Sequence, residues 1–146
     1  MMTDKELIQK YPFLEIKDKR ACPGMTGTWL SDLPEGWEEK LLEMCDEIMD
    51  IAHNYIDKLI VIQTKEKFGG LRFYYYWNEE VPQTVADMVE EVVDKYEELT
   101  YTACVGCGKE THTYTKGWIL PMCVECAEVN NILVFPDMRY KGEKDG

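Results

Sequence analysis

The sequence predicts an α+β fold in which a helix, a β-hairpin and a second helix form a body, followed by a small metal-binding module. Residues 38–55 and 82–101 repeat apolar side chains at three- and four-residue steps, which is the periodicity of amphipathic helices. Residues 58–67 and 71–77 between them are rich in β-branched and aromatic residues and are joined by two glycines. Four cysteines in two close pairs follow. A chain of 146 residues suits one such domain.

Both predicted helices place apolar residues on one stripe and acids on the opposite face, so the stripes are interpreted as core faces. Pro82 stands at the start of the second helix, where a missing backbone N–H costs little. His53, near the end of the first helix, is interpreted as interacting with the helix dipole, and a general base is the alternative. The stripes consist of Leu41, Leu42, Cys45, Ile48, Met49 and Ala52 in the first helix and of Val85, Met88, Val89, Val92, Val93, Tyr96 and Leu99 in the second.

The second predicted strand carries aromatic rings on both faces. Alternation directs the odd-numbered residues from Leu71 to Trp77 one way and directs Arg72, Tyr74 and Tyr76 the other way. Two interpretations follow: the sheet is covered on both sides, or one side is a binding platform.

The two cysteine pairs predict one structural zinc ion per chain. Cys104 and Cys107 form one CxxC, and Cys123 and Cys126 form another after 15 residues. Four thiolates complete the tetrahedral shell of Zn²⁺ and leave no position for water or substrate, so a catalytic role is not expected. Two disulfides or four free thiols are the alternative, which a reducing compartment disfavours. His112 lies between the pairs and is the less favoured replacement for one cysteine.

The halves of the cysteine module differ. Gly108 follows the first pair and permits a tight turn, whereas residues 127–131 after the second pair predict a short helix. A hairpin over Thr111–Thr115 and Trp118–Leu120, turning at residues 116–117, is predicted between them. This order resembles a treble-clef zinc module, with a symmetric zinc ribbon as the alternative. The predicted units are an α+β body over 1–101, a zinc module over 102–135 docked on the body, and a charged tail over 136–146.

The charge is strongly acidic and unevenly distributed. Sixteen Lys and Arg stand against 28 Asp and Glu, a net charge of −12, which disfavours direct binding to nucleic acid or anionic lipid. The excess acid lies in residues 31–58 and 79–99. These are interpreted as solvated helix faces, or as a surface that meets a basic partner or imitates nucleic acid. The polar N-terminus and the short aliphatic run over residues 59–62 lead us to expect a soluble, cytoplasmic protein without a membrane span.

The hairpin connection is a local exception to this acidity and a candidate site for a small anion, a nucleotide or a partner. Adjacent glycines let a backbone approach a ligand closely, Lys and Arg suit phosphate or carboxylate, and a tyrosine offers a ring for stacking. The alternative is a plain β-turn whose cations pair with the acidic helices. The candidate residues are Lys65, Lys67, Gly69, Gly70, Arg72 and Tyr74.

Residues 65–74 (KEKFGGLRFY), together with the CxxCG, Gly117-Trp118 and the second CxxC, carry a resemblance that spans roughly residues 36–127. They resemble a group of small bacteriophage and bacterial proteins of uncharacterised function. The resemblance implies a phage or bacterial origin and the bacterial host cytoplasm as the location, and it supplies no catalytic residue. By analogy of size and charge, such proteins resemble host-takeover or anti-defence factors.

The leading hypothesis is therefore a non-enzymatic, zinc-stabilised binding protein that engages a host or phage protein. A binder of nucleotides or small anions at the hairpin of residues 65–72 is the first alternative. An enzyme whose site is assembled from dispersed residues, such as His53 and His112, is the second.

Overall fold

A computed structural model describes residues 2–18, 20 and 23–136, and it is a mixed structure of helices and strands. The α-helices are α1 (Asp4–Lys10), α2 (Glu38–Ala52), α3 (Gln83–Thr100) and α4 (Val124–Val129). The strands are β1 (Leu59–Lys67), β2 (Gly70–Trp77), β3 (Thr113–Thr115) and β4 (Val134–Pro136). Short 3₁₀ helices span Pro12–Leu14, Leu30–Asp32, Glu35–Trp37 and His53–Lys58. The predicted order of helix, hairpin, helix and cysteine module is confirmed, and Pro136, the first residue of the predicted tail, lies in β4. Residues 137–146 and Cys22 lie outside the described residues.

The first long helix is shorter than the sequence predicts. Helix α2 ends at Ala52, and the chain continues as the 3₁₀ helix His53–Lys58 before it enters β1. No residue of that segment is fully buried, although the half-buried Ile56 packs against the body core. His53 is exposed on this segment.

The body buries one face of the antiparallel β1–β2 hairpin against α2 and α3. Leu71 and Phe73 are buried and Tyr74 and Tyr76 are about two-fifths exposed, so the predicted alternation is confirmed. Cys45 is fully buried in the same core, where burial raises the pKa of its thiol. On α3 the stripe is narrower than predicted, because Met88 is 50% exposed and Leu99 is 39% exposed.

Helix α3 also covers the free edge of the hairpin. The backbone N–H of Leu71 donates to Thr100 Oγ1 at 2.9 Å, and the N–H of Phe73 donates to the Glu97 carboxylate at 2.8 Å. Alternate N–H groups of β2 point away from β1, and two of them find acceptors on neighbouring turns of the helix. An edge strand satisfied in this way is a poor template for pairing with another chain.

Two acids of α2 have partners on neighbouring elements: Glu47 contacts α3, and Asp46 contacts Tyr11 near the N-terminus. Lys95 Nζ on α3 lies 2.8 Å from a Glu47 carboxylate oxygen on α2, and the hydroxyl of Tyr96 donates to the same carboxylate. Tyr11 donates to Asp46 at 2.6 Å. The remaining exposed acids form solvated faces, among them Glu39, Glu43 and Asp50 on α2 and Asp87, Glu90, Glu91, Asp94 and Glu98 on α3.

Replacing Glu47 with Gln tests the contact between Glu47 and α3 through the pH dependence of stability. The hydrogen bond from Lys95 and then that from Tyr96 hold the pKa of Glu47 below its usual 4.5. A lowered folded-state pKa contributes stability above the unfolded pKa, and this contribution is lost as pH falls through the folded value. At pH 7 we expect the free energy of unfolding of the wild type to exceed that of Glu47→Gln by less than about 1 kcal/mol, because the Glu47–Lys95 pair is partly exposed.

The measurement is urea unfolding of both proteins at pH 7 and below pH 4.5. The difference between them is expected to shrink at the lower pH, and any pH dependence of the shared cysteine module cancels in that difference. A difference that stays constant or grows on acidification would contradict the assignment.

The cysteine module combines a turn, a hairpin and a short helix. Ala103 bridges to Glu110 around the first cysteine pair, and Tyr114 bridges to Pro121 across the turn at Gly117, whose φ is +83°. A hairpin is present, with β3 as one arm, but its other arm is residues 120–122 and not the predicted Trp118–Leu120. Strand β4 pairs with β3 in antiparallel register, a contact that the sequence did not predict.

The module packs directly on the body. Trp37 is fully buried and its indole N–H donates to Ala103 O at 2.9 Å, one residue before the first cysteine. The N–H of Gly36 donates to Val105 O at 2.9 Å. Ala103 belongs to the body core and Val105 contacts both clusters of buried side chains, so no free linker separates body from module at this point. None of the helices in the described part of the chain has the length and apolar character needed to cross a membrane.

Candidate metal centre and the adjoining groove

The four predicted cysteines converge. The sulfur atoms of Cys104, Cys107, Cys123 and Cys126 all lie within 4.8 Å of one another, and none of these residues forms a disulfide. The Cys107 and Cys123 sulfurs are 3.8 Å apart. Sulfurs bound tetrahedrally at ~2.3 Å from a zinc ion have ~3.8 Å edges, so this spacing suits a four-coordinate metal. The cluster could hold a metal ion, and all its ligands are cysteine thiols.

Local backbone conformation brings the two pairs together. Cys104 Sγ accepts the N–H of Gly106 at 3.4 Å and the N–H of Cys123 at 3.3 Å, so one sulfur joins both halves of the module. Helix α4 begins beyond Cys123, whose side chain accepts the N–H of Cys126 at 3.4 Å. A Cβ on Gly106 would lie 3.0 Å from the Cys126 sulfur, which explains the glycine at this position.

Hydrogen bonds and burial shift the pKa values of the cluster thiols in opposite directions. Burial opposes ionisation of Cys104, but N–H groups of Cys123, Cys107 and Gly106 donate to it and lower its pKa to about 6. The hydrogen bond with Cys123, followed by burial, raises the pKa of Cys126 to about 12. Cys104 therefore ionises more readily than Cys126 when no metal is bound. A divalent cation at the centre of the cluster would stabilise all four thiolates.

The alternative ligand His112 is not part of this cluster. Within the described residues, the group of close metal-binding side chains around the site contains the four cysteines and no histidine. The His112 ring lies beside Glu110, with Nε2 3.3 Å from a carboxylate oxygen. The four-cysteine arrangement is the one that the structure brings together.

The two hairpin glycines contact the chain itself. Both are buried, and a Cβ on Gly70 would lie 2.5 Å from the ring of Tyr101. A Cβ on Gly69, whose φ is +84°, would lie 2.9 Å from Ile119 O of the cysteine module. The Gly69 N–H donates to Glu66 at 2.8 Å. The missing side chains thus let the hairpin tip pack closely against α3's end and the module.

The predicted side chains around these glycines separate into two groups. Arg72 lies over the Tyr101 ring at 5.5 Å and donates to Leu71 O at 3.1 Å, so its guanidinium already has partners. Tyr74 is 42% exposed on the outer face of the hairpin. Lys65 and Lys67 are exposed, and they line a groove between the hairpin and the cysteine module.

This groove, of about 1160 Å³, is lined mainly by apolar atoms. Phe68 and Trp118 are each 72% exposed, and Ile119 and Phe135 are 49% and 44% exposed. The Trp118 indole N–H donates to Glu66 Oε1 at 2.9 Å, which joins the module hairpin to the body hairpin. The groove is defined here by Lys65, Glu66, Lys67, Phe68, Tyr114, Thr115, Lys116, Gly117, Trp118, Ile119, Phe135 and Pro136.

Sequence reasoning missed the apolar part of the groove. The sequence predicts Phe68 in the hairpin connection and Trp118 and Ile119 in an arm of the module hairpin, and it predicts no helix or strand at Phe135. One signal was available: large apolar residues beside the tight turns at Gly69 and Gly117 occupy positions where polar residues are usual, and such residues are exposed unless another segment covers them.

No family model matches the chain, and comparisons with curated proteins and with solved structures find no match.

Proposed function

We propose that the chain is a non-enzymatic binding protein whose C-terminal module is a treble clef closed by one zinc ion. A tight turn at Gly108 after the first pair, the hairpin, and α4 carrying the last ligand support this assignment over a symmetric ribbon. Zinc is favoured because an all-thiolate tetrahedral donor set suits it. Cys104, Cys107, Cys123 and Cys126 would hold the ion, which contributes folding energy and leaves no open ligand position.

The observation that carries the binding role is the exposed apolar groove. Phe68 and Trp118 stand largely in solvent beside Ile119 and Phe135, and clustered exposed apolar side chains with polar neighbours are typical of protein-interaction sites. The close contacts of Gly69 and Gly70 with Ile119 and Tyr101, and the packing of the module on the body, hold the two sides of the groove in place. In line with the sequence resemblance, we propose a bacterial host protein as the partner and the host cytoplasm as the place of action.

The groove supports protein binding better than the alternative of a nucleotide or small-anion site at the hairpin. That alternative requires free backbone N–H groups at the glycines and a free guanidinium. The Gly69 N–H is taken by Glu66, and Arg72 is engaged by Tyr101 and Leu71. An open groove with a large apolar wall fits the side chains of a polypeptide better than it fits a phosphate.

The test is capture of a partner by a groove variant. In the double variant Phe68→Asn and Trp118→Gln, asparagine suits the positive φ of 55° at position 68, and both changes remove a ring from solvent. We expect the change in the free energy of unfolding to stay within about 0.5 kcal/mol, as for most surface substitutions. Binding of the captured host protein should fall by about tenfold or more, because exposed aromatic residues commonly dominate interface energies.

The matched control is the double variant Met88→Gln and Leu99→Gln, which removes exposed apolar side chains from α3 instead. It should capture the same protein as the wild type in a quantitative affinity purification from host lysate. If the groove variant and the α3 variant behave alike, or if no protein is captured by the wild type, the binding proposal fails.

A further inference from the structure

We propose that the groove accepts an acidic peptide segment of the partner protein, in which carboxylates stand beside aliphatic or aromatic side chains. This inference rests on the proposed function and adds the chemical class of the occupant. It follows from the charge of the groove, which is opposite to that of the whole chain.

The three groove lysines form no ion pair with any carboxylate among the described residues: Lys65, Lys67 and Lys116. In this they differ from Lys58, Lys95 and Lys109, which each have an acidic partner. The groove contains one acid, Glu66, and its two oxygens already accept the N–H of Gly69 and the indole N–H of Trp118. A local charge of +2 therefore lies within a chain of net charge −12.

Two of these cations stand beside aromatic rings. Lys67 Nζ lies 5.6 Å from the centroid of the Phe68 ring, and Lys116 Nζ lies 5.9 Å from that of Phe135. Each pair presents an ammonium next to an apolar surface. A ligand that complements both the ammonium groups and the apolar surface must carry carboxylates and apolar groups side by side. An acidic peptide with leucine or phenylalanine supplies them. Burying such a peptide's apolar groups contributes affinity, and the lysines contribute selection by charge.

A single-stranded nucleic acid would also offer rings and negative charge, but the chain disfavours it. The exposed rings of Phe68 and Trp118 could stack bases, but Glu66 lies among the lysines and would repel a phosphate. A polyanion with one charge per nucleotide meets long-range repulsion from a chain of charge −12, whereas a short peptide carries few charges. A second copy of the chain meets the same repulsion.

The experiment measures binding of labelled synthetic peptides of equal length by fluorescence anisotropy. One peptide alternates glutamate with leucine and phenylalanine, the second has lysine in place of glutamate, and the third has serine in place of the apolar residues. Oligothymidine is the nucleic-acid probe. We expect the first peptide to bind about tenfold or more tightly than the other three probes, and more weakly at high salt.

Charge reversal provides the matched variants. Lys65→Glu, Lys67→Glu and Lys116→Glu together should weaken binding of the first peptide by about tenfold or more. Reversal of the exposed Lys5, Lys10 and Lys17, which changes the net charge equally, should leave its affinity nearly unchanged. The first peptide should also displace the host protein captured through the groove.

The inference is overturned if the basic peptide or oligothymidine binds as tightly as the acidic peptide, or if no peptide binds. Groove-dependent self-association in sedimentation experiments would overturn it as well, because the occupant would then be a second copy. In each of these cases the proposed function survives if host-protein capture still depends on Phe68 and Trp118, and both fall if it does not.

Discussion

Replacing Cys104 with alanine is expected to abolish metal binding and to unfold the C-terminal module. Cys104 is fully buried, and its sulfur accepts N–H groups from both halves of the module. A structural zinc ion supplies on the order of 10 kcal/mol of folding free energy in small modules. Among the described residues, the apolar cluster around the sulfurs is small, and it is too small to replace that contribution. It consists of the buried Cys104, Met122, Cys123 and Ala127 and the partly buried Val105, Cys126 and Val134.

The measurement is elemental analysis together with thermal unfolding followed by near-ultraviolet circular dichroism. The wild type should carry about one zinc per chain, and a strong chelator should reproduce the effect of Cys104→Ala. Cys45→Ala is the matched control, because Cys45 is fully buried in the body core and away from the sulfur cluster. It should lose some stability to a cavity and keep its metal. A folded, metal-free wild type would refute the metal assignment.

Replacing Gly36 with alanine is expected to displace the module from the body. A Cβ at this position would lie 2.2 Å from Cys104 O and 2.7 Å from the carbonyl of Val105, and both are backbone atoms that cannot rotate away. On the other side of the contact, Gly108 (φ +84°) approaches Gly36 O so closely that its own Cβ would be 2.5 Å away. We expect a loss of about 3 kcal/mol in the free energy of unfolding, the upper end for overpacked sites.

The same substitution should weaken binding of the proposed metal, because the clash falls on the peptide group of Cys104, one of the four cysteines of the cluster. Chemical unfolding and competition with a chromophoric chelator measure the two effects. Glu35→Ala, at the neighbouring exposed position, is the control and should change stability by no more than about 0.5 kcal/mol. Equal unfolding midpoints for the two variants would show that the close backbone contact does not exist in solution.

The sequence predicts the elements of this fold where a short-range pattern determines them. Apolar residues at helical spacing locate α2 and α3, alternation locates β2, and the two CxxC pairs locate the sulfur cluster, because each pattern acts within a few residues. The predicted end of the first long helix, at residue 55, lies beyond its observed end at Ala52. The reason is that Tyr55 and Ile56 continue the apolar spacing although they are only half-buried. The spacing of apolar residues does not reveal where an α-helix ends and a 3₁₀ helix begins.

The groove could not be predicted because it depends on packing between distant segments. Pairing of β4 with β3 brings Phe135 to the module hairpin that carries Trp118, and Phe68 joins them only when the tip of the body hairpin rests on the module. The glycines show the same difficulty: Gly69 and Gly70 predict a close approach, but the sequence does not show that the approaching groups are Ile119 and Tyr101. β4 was not predicted because a strand of three residues is too short to show a recognisable alternation of apolar and polar residues.

The hydrogen bond between the Trp37 indole and Ala103 O joins an early part of the chain to the residue just before the first thiol. During synthesis, the body therefore cannot make this closing contact until the ribosome has released residues well past position 103. In chains without the proposed zinc ion, this tryptophan would lack a fixed acceptor and the core around it would be loosened. Such chains are the preferred substrates of quality-control proteases, so the abundance of the protein should follow the metal supply of the cell.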